Sequence, residues 1–332
     1  MARDDIATRL RAARPGLTHR GEPLSARALA ELEQYDLLAR TSTRAPATVT
    51  SARGRRHRAR LVLGSLAMTV VVVIAALTVW GNVTPEPAMA LTPAPLRIHA
   101  VAGTASSRLA AAAQKRRDDG GTPDGTTVRS HQWALESSVA DDGTITSQAS
   151  VPQRRTLTFG PDGDVTVMAR AGAPFPGEVR DGLPAEGTLL SKDHYAAGHY
   201  DNPYNSPPPT DAGAVGPYFA TALGVDDPTA GDYLRAVGDL LSSRPITAPQ
   251  EAALLQFLAR QPGLRLAGTT TDRLDRAGQV FIARDRRPGE YEDMLVVGPA
   301  TGKILDLETV YIGHDRTDIP SPATTVYVAW ER

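Results

Sequence analysis

The sequence predicts an α+β protein: a single transmembrane helix followed by an extracytoplasmic antiparallel β-sheet covered by helices. Three observations carry this. Leu61–Trp80 runs for twenty residues without a charged side chain. From Thr126 onward apolar residues recur at alternate positions, in two blocks separated by a pair of amphipathic helical segments. Strands grouped in blocks, rather than alternating one by one with helices, argue for α+β over βαβ units.

In Leu61–Trp80, eleven of the twenty residues are Leu, Val or Ile. As a helix it would be about 30 Å long, the thickness of a bilayer's hydrocarbon core. Those eleven side chains favour insertion by about 3–7 kcal/mol. Ser65, Thr69 and Thr78 cost little, because their hydroxyls bond back to carbonyls one turn earlier. Residues 1–60 carry thirteen Arg against six acids, whereas residues 81–332 carry 23 bases against 31 acids. Arg53, Arg55, Arg56, Arg58 and Arg60 stand just before the apolar stretch. They read as a flank for anionic lipid headgroups, not as a nucleic-acid site. The positive-inside rule then sets the N-terminus in the cytoplasm and the C-terminal part outside a cytoplasmic membrane. Ala88-Met89-Ala90 has the small-residue form of a cleavage site. A sixty-residue lead is nevertheless too long for a signal peptide, so an uncleaved anchor is expected.

The expected divisions are a cytoplasmic tail at 1–60, the span at 61–80, a Pro-rich linker and exit at 81–103, and an external domain at 104–332. No cysteine is present, which excludes disulfides, thiolate metal sites and a Cys nucleophile. Arg outnumbers Lys 33 to 3 amid abundant Ala, Gly and Pro, a usage that points to a high-GC bacterial genome.

In the tail, Ser25–Arg40 has a stripe of Leu29, Leu32, Tyr35 and Leu38 at three-residue steps, a candidate docking helix for a cytoplasmic partner. Thr104–Arg117 is an Ala-rich helix ended by Asp118–Gly125. Val128, Ser130, Gln132 and Ala134 then alternate with Arg129, His131, Trp133 and Leu135, the pattern of a strand. Thr144–Ser150 is a second strand. Arg154–Phe159 and Val165–Arg170 flank a Gly/Asp turn and form the clearest hairpin. Residues 171–216 read as a long irregular segment.

Two helices follow, Asp227–Ser242 and one opened by Thr247 and Gln250 at capping-box spacing. The last strands are Leu264–Thr270, Gly278–Arg284, Tyr291–Val297, Lys303–Ile312 and Thr324–Glu331. About eight or nine antiparallel strands result, with helices across one face, since such a sheet needs a cover on one side only.

Candidate chemistry is sparse. His194 and His199 are the one close histidine pair of the external domain, but their five-residue separation in a loop is not the spacing of a zinc protease helix. Asp141-Asp142 and Asp226-Asp227 sit where turns and helix starts favour Asp anyway. There is no G-x-S-x-G, S-x-x-K, H-E-x-x-H or phosphate loop. No catalytic residue, cofactor or metal is therefore expected. Tyr195, Tyr200, Tyr204, Tyr218 and Phe219 cluster within 25 residues and are the candidate lining of a ligand or partner groove, with packing onto the sheet as the competing role.

The exit ALTPAPL at Ala90–Leu96, the helix pair YLRAVGDLL…TAPQEAALLQFLARQPGL, the strand GQVFIARD and the hairpin GPATGKILDLE resemble a family of actinobacterial single-pass membrane proteins. Its members are often encoded beside extracytoplasmic-function sigma factors. Their outer domain is similar to the LolA lipoprotein-carrier half-barrel and to RseB-type periplasmic sensors. The resemblance covers about residues 61–97 and 228–310 and brings no catalytic motif. Residues 1–60 lack the His and Cys ligand set of zinc-type anti-sigma domains. The resemblance implies an envelope protein that acts by binding and sensing, with a sigma or anti-sigma factor as candidate partner. The alternative is a lipid or lipoprotein carrier that uses the concave face of the half-barrel.

Overall fold

The computed structural model describes residues 90–119, 125–139, 145–148, 151–178, 183–204, 206–225 and 227–332, of which 136–139 and 145–148 are described by backbone only. Helix α1 (Ala105–Asp118) comes first, then strands β1 (Thr127–Ala134), β2 (Glu136–Val139), β3 (Ile145–Gln148), β4 (Gln153–Phe159), β5 (Val165–Ala171) and β6 (Leu189–Tyr195). Helices α2 (Ala212–Leu223), α3 (Ala230–Ser243) and α4 (Ala248–Leu258) interrupt the strands. The chain closes with β7 (Arg265–Thr271), β8 (Ala277–Ala283), β9 (Tyr291–Val297), β10 (Ile304–Tyr311) and β11 (Ala323–Trp330).

Nine strands form one sheet in the order β6-β5-β4-β1-β11-β10-β9-β8-β7, and β2 and β3 make a separate hairpin. All pairs are antiparallel. Two runs of neighbouring strands meet where β1 lies beside β11, with Ser130 opposite Trp330 and Ala134 opposite Val326. The helices start where their side chains supply caps. Thr104 accepts from the Ser107 amide, and Thr229/Asp232 and Thr247/Gln250 each form a complete capping box.

Alternation along the strands divides the core into two layers. Phe281, Leu295, Val297, Leu307 and Trp330 face α3 and its neighbours, among Leu234, Val237, Leu240, Leu254 and Leu258. The residues between them, Val280, Ile282, Met294, Val296 and Val310, form a second cluster under Leu96 and Ile98. Around it, Trp133, Phe175 and Tyr327 make a third, and Ala90, Tyr311, Ile319 and Ala323 a fourth. Six of seven residues of β9 and seven of eight of β10 are buried. These strands are therefore covered on both faces.

This corrects the expected fold. A transmembrane helix followed by a LolA/RseB-like half-barrel sheet covered by helices is not what the described residues build. They make a nine-stranded antiparallel sheet with few helices, and none of those helices is long and apolar enough to cross a membrane. The longest have 14 residues, about 21 Å of helix against the 30 Å of a hydrocarbon core. Over β8–β10 the face away from the helices is closed by the strap residues Leu96 and Ile98. The stretch Leu61–Trp80 and the stripe of Leu29, Leu32, Tyr35 and Leu38 lie outside the described residues.

The β9–β10 turn shows how tightly α1 is seated. Gly302 has φ +72°, and a Cβ there would strike the Ala112 carbonyl and the Arg116 side chain of α1. Gly289 has a similar φ of +80° with open space around it. Gly302→Ala should cost about 1–2 kcal/mol for the left-handed backbone alone, and more for the displaced helix. Gly289→Ala should show the backbone cost only. Urea unfolding of the two variants checks this; equal losses would mean that α1 gives way freely.

Candidate functional site

The site with the most chemistry is where the chain enters the domain. Residues 90–99 form a strap across the sheet face opposite the helices. The Ala90 amide donates to the Asp318 carbonyl at 2.7 Å, and the Thr270 hydroxyl donates to the Arg97 carbonyl at 2.8 Å. His99 and Thr269 exchange two backbone hydrogen bonds of 2.8 Å, so the strap begins a further strand against edge strand β7. Gly268 leaves room for it, because a Cβ there would meet the His99 backbone. Leu96 and Ile98 supply the apolar part of the contact.

The polar centre of the strap is Arg273, in the β7–β8 turn. Its Nη2 donates to the Ala94 carbonyl at 2.9 Å. The same guanidinium forks onto Glu308 of β10, with Nε to Oε1 at 2.6 Å and Nη2 to Oε2 at 2.9 Å. It lies 5.0 Å over the Tyr327 ring. Asp306, two residues before Glu308 in β10, accepts from the Arg273 amide at 3.3 Å through Oδ2, while its buried Oδ1 has no hydrogen-bond partner among the described residues. Asp272 holds the turn itself, taking Arg276 Nη2 at 2.6 Å and the Leu274 and Arg276 amides.

Asp306 and Glu308 are both fully buried. Burial raises both carboxyls above the ordinary range; the Glu308 charge raises Asp306 further and the Asp272 charge raises Glu308, while Arg273 opposes this most strongly at Glu308, where its fork is. The geometry therefore gives the negative charge to Glu308 and the proton to Asp306. Burial likewise pushes the Tyr327 hydroxyl up to about 12, against the pull of Arg273. Burial disfavours the Arg273 charge, but Glu308 more than compensates and raises its proton affinity.

The aromatic residues singled out from the sequence fall into two groups. Tyr204 and Phe219 are buried in the helix-side core. There the Tyr204 hydroxyl donates to the Ala236 carbonyl at 3.1 Å, and Tyr218 stacks on Tyr204 at 6.0 Å. Tyr233 and Phe257 complete this cluster. Tyr195 and Tyr200 lie apart, edge to face at 5.3 Å, with Phe159 beside Tyr200 on the outer part of the sheet. The five do not line one groove: Tyr204 and Phe219 act as core, and packing wins for them. The helix-side face is filled by these rings and the leucines of α3 and α4, not shaped as a trough. His194 is exposed near Thr166 and Asp164 on edge strand β6, and no group of three metal-ligating side chains occurs among the described residues.

Arg273, Asp306 and Glu308 were not singled out from the sequence. Their signal was available: Asp and Glu at alternate positions within the apolar run ILDLETVY put two carboxylates on one strand face. On a sheet covered on one side only, two such acids would stand at the solvent-facing side, where acids are ordinary. No family, curated protein or solved structure matches the chain.

A carboxyl whose folded proton affinity is raised stabilises the fold below the ordinary carboxylate range, about pH 4, and loses that contribution as pH rises through the raised value. Asp306→Asn, which keeps the shape and removes the titration, should therefore raise stability at pH 8 by about 1–2 kcal/mol. The gain should shrink as pH falls toward 4. Chemical denaturation across that range checks it; a gain that grows toward acid pH would contradict the protonated Asp306.

Proposed function

We propose that the protein is a membrane-attached binding module that acts outside the cytoplasmic membrane and reports through the strap. The apolar, uncharged stretch 61–80, with arginines before it and net acidic sequence after it, supports attachment and direction. The observation that carries the reporting half is the set of ties on residues 90–99. The chain that leaves the apolar stretch is held to Thr269 and Thr270 of β7, to Arg273 of the β7–β8 turn and to Asp318 between β10 and β11. A ligand or protein that shifts this face pulls directly on the segment leading back to the membrane. The binding event biases the domain and no reaction is needed. Residues 1–60, with the stripe of Leu29, Leu32, Tyr35 and Leu38, are the proposed contact for a sigma or anti-sigma factor.

The test is crosslinking of the full-length chain in cells, with reagents placed in residues 1–60. A sigma or anti-sigma factor should be recovered, and Leu32→Ala with Leu38→Ala should reduce the yield severalfold. Thr270→Val removes one tie to the strap at about 1 kcal/mol without touching the tail, and should change the yield as well. Recovering no such partner overturns the regulatory link. Recovery unaffected by Thr270→Val overturns transmission through the strap.

A further inference from the structure

On the helix side, a cleft of about 40 Å³ opens where the start of β1, the α3–α4 joint and the end of β11 converge. Thr127, Arg129, Arg244, Ile246, Trp330 and Arg332 line it. A single water needs about 10–15 Å³, so the space accepts a group of three or four heavy atoms. Two donors in its walls are buried without an acceptor among the described residues, Trp330 Nε1 and Arg244 Nε. Trp330 is fully buried, so its indole N–H cannot turn to bulk solvent. A buried donor without an acceptor carries its full desolvation penalty, so both donors favour an acceptor in the cleft.

The charge of the cleft points the same way. Its one acidic side chain, Glu331, is already taken by His131 at 2.8 Å and Arg154 at 3.1 Å. Arg332 donates to the buried Glu251 at 2.9 Å. Arg244 donates through Nη1 to the Tyr204 carbonyl at 2.9 Å, and no carboxylate lies within ion-pair distance of it among the described residues. Burial lowers its proton affinity, and only the neighbouring Tyr218 works against that. A half-buried guanidinium without a counter-charge, beside an indole N–H without an acceptor, calls for an anionic oxygen.

We propose that this cleft binds a carboxylate group, the charged end of a small organic acid, with Arg244 and Trp330 as its donors. A carboxylate matches the volume, brings two acceptor oxygens for two orphan donors, and supplies the charge that Arg244 lacks. A tetrahedral phosphate is bulkier and leaves acceptors over.

The test uses the full-length chain in detergent, labelled with ¹⁵N at its three tryptophans, Trp80, Trp133 and Trp330. Trp330→Phe assigns the Trp330 indole signal. Titration with sodium acetate, against sodium chloride at equal ionic strength, should move that signal saturably and leave Trp133 in place. Inorganic phosphate should bind more weakly than acetate. Arg244→Lys keeps the charge but removes the Nε–H, and should weaken acetate about tenfold, the loss of one charge-assisted hydrogen bond. No saturable shift with acetate, meaning that water alone fills the cleft, overturns the proposal. Tighter binding of phosphate overturns the carboxylate assignment, and unchanged affinity in Arg244→Lys overturns the role of Arg244.

Discussion

The rest of the structure depends on one constraint: strands β8, β9 and β10 are buried on both faces. An antiparallel sheet is stable with a single covered face. Here α3 lies on one side of these strands and residues 90–98 on the other. A side chain on either face then leaves water, and any polar one must find its partner inside the protein. The apolar strands β8 and β9 meet this with Val280, Phe281, Ile282, Leu295, Val296 and Val297. Strand β10 does not, because it carries Asp306 and Glu308.

The solution used throughout is an arginine delivered from a turn or a neighbouring element to a carboxylate. Arg273 reaches Glu308, Arg286 reaches Asp293 through both nitrogens at 2.8–2.9 Å, and Arg316 clasps Asp318. Buried Glu251 of α4 takes Arg116 from α1, Arg332 from the C-terminal end and the Ile304 amide from β10, joining four parts of the fold at one carboxylate. The guanidinium fork suits this work, because it satisfies both carboxylate oxygens and stays charged when desolvated. The heavy use of Arg over Lys fits these sites as well as it fits a base composition. Desolvation offsets much of the attraction in these pairs, while removing one partner would leave a buried charge uncompensated. Asp306 is the one acid of the set that no arginine side chain neutralises among the described residues, and it carries the proton instead.

Legibility in the sequence followed how local each signal was. The hairpin β4–β5 was readable because Gly160–Asp164 supplies its own turn, with the Gly160 amide on the Asp164 carbonyl. The start of α4 is readable because Thr247 and Gln250 complete its cap within four residues, whereas α3 opens at the Thr229/Asp232 box, after the expected Asp227. Strand β6 lies inside the segment 171–216 that reads as irregular, and helix α2 begins in it and runs past its end. Strand β6 sits at an edge with Leu189 exposed, so burial imposes no alternation on it. Helix α2 contains Pro217, and glycines besides; its helicity comes from seating Val215 and Phe219 in the core and from Gly216 admitting the Phe257 ring. Propensity loses to such packing. Of the aromatic set, spacing along the chain could not separate Tyr204 and Phe219, which fill the core, from Tyr195 and Tyr200, which sit near the edge.

What the sequence determined by itself is whatever one turn or one period can encode: the helix caps, the hairpin turns, the alternation of the strands and the apolar, uncharged stretch at 61–80. Which strands are neighbours was decided by tertiary structure, because β1 and β11 meet across nearly the whole domain and no local signal pairs them. The second cover of the sheet was decided there too. A Pro-rich exit reads as a linker until the sheet offers it Val280, Met294 and Val296 to cover and Arg273 to hold it. Those contacts are non-local, and they turn the carboxylates of β10 from surface acids into the buried pair on which the strap is fastened.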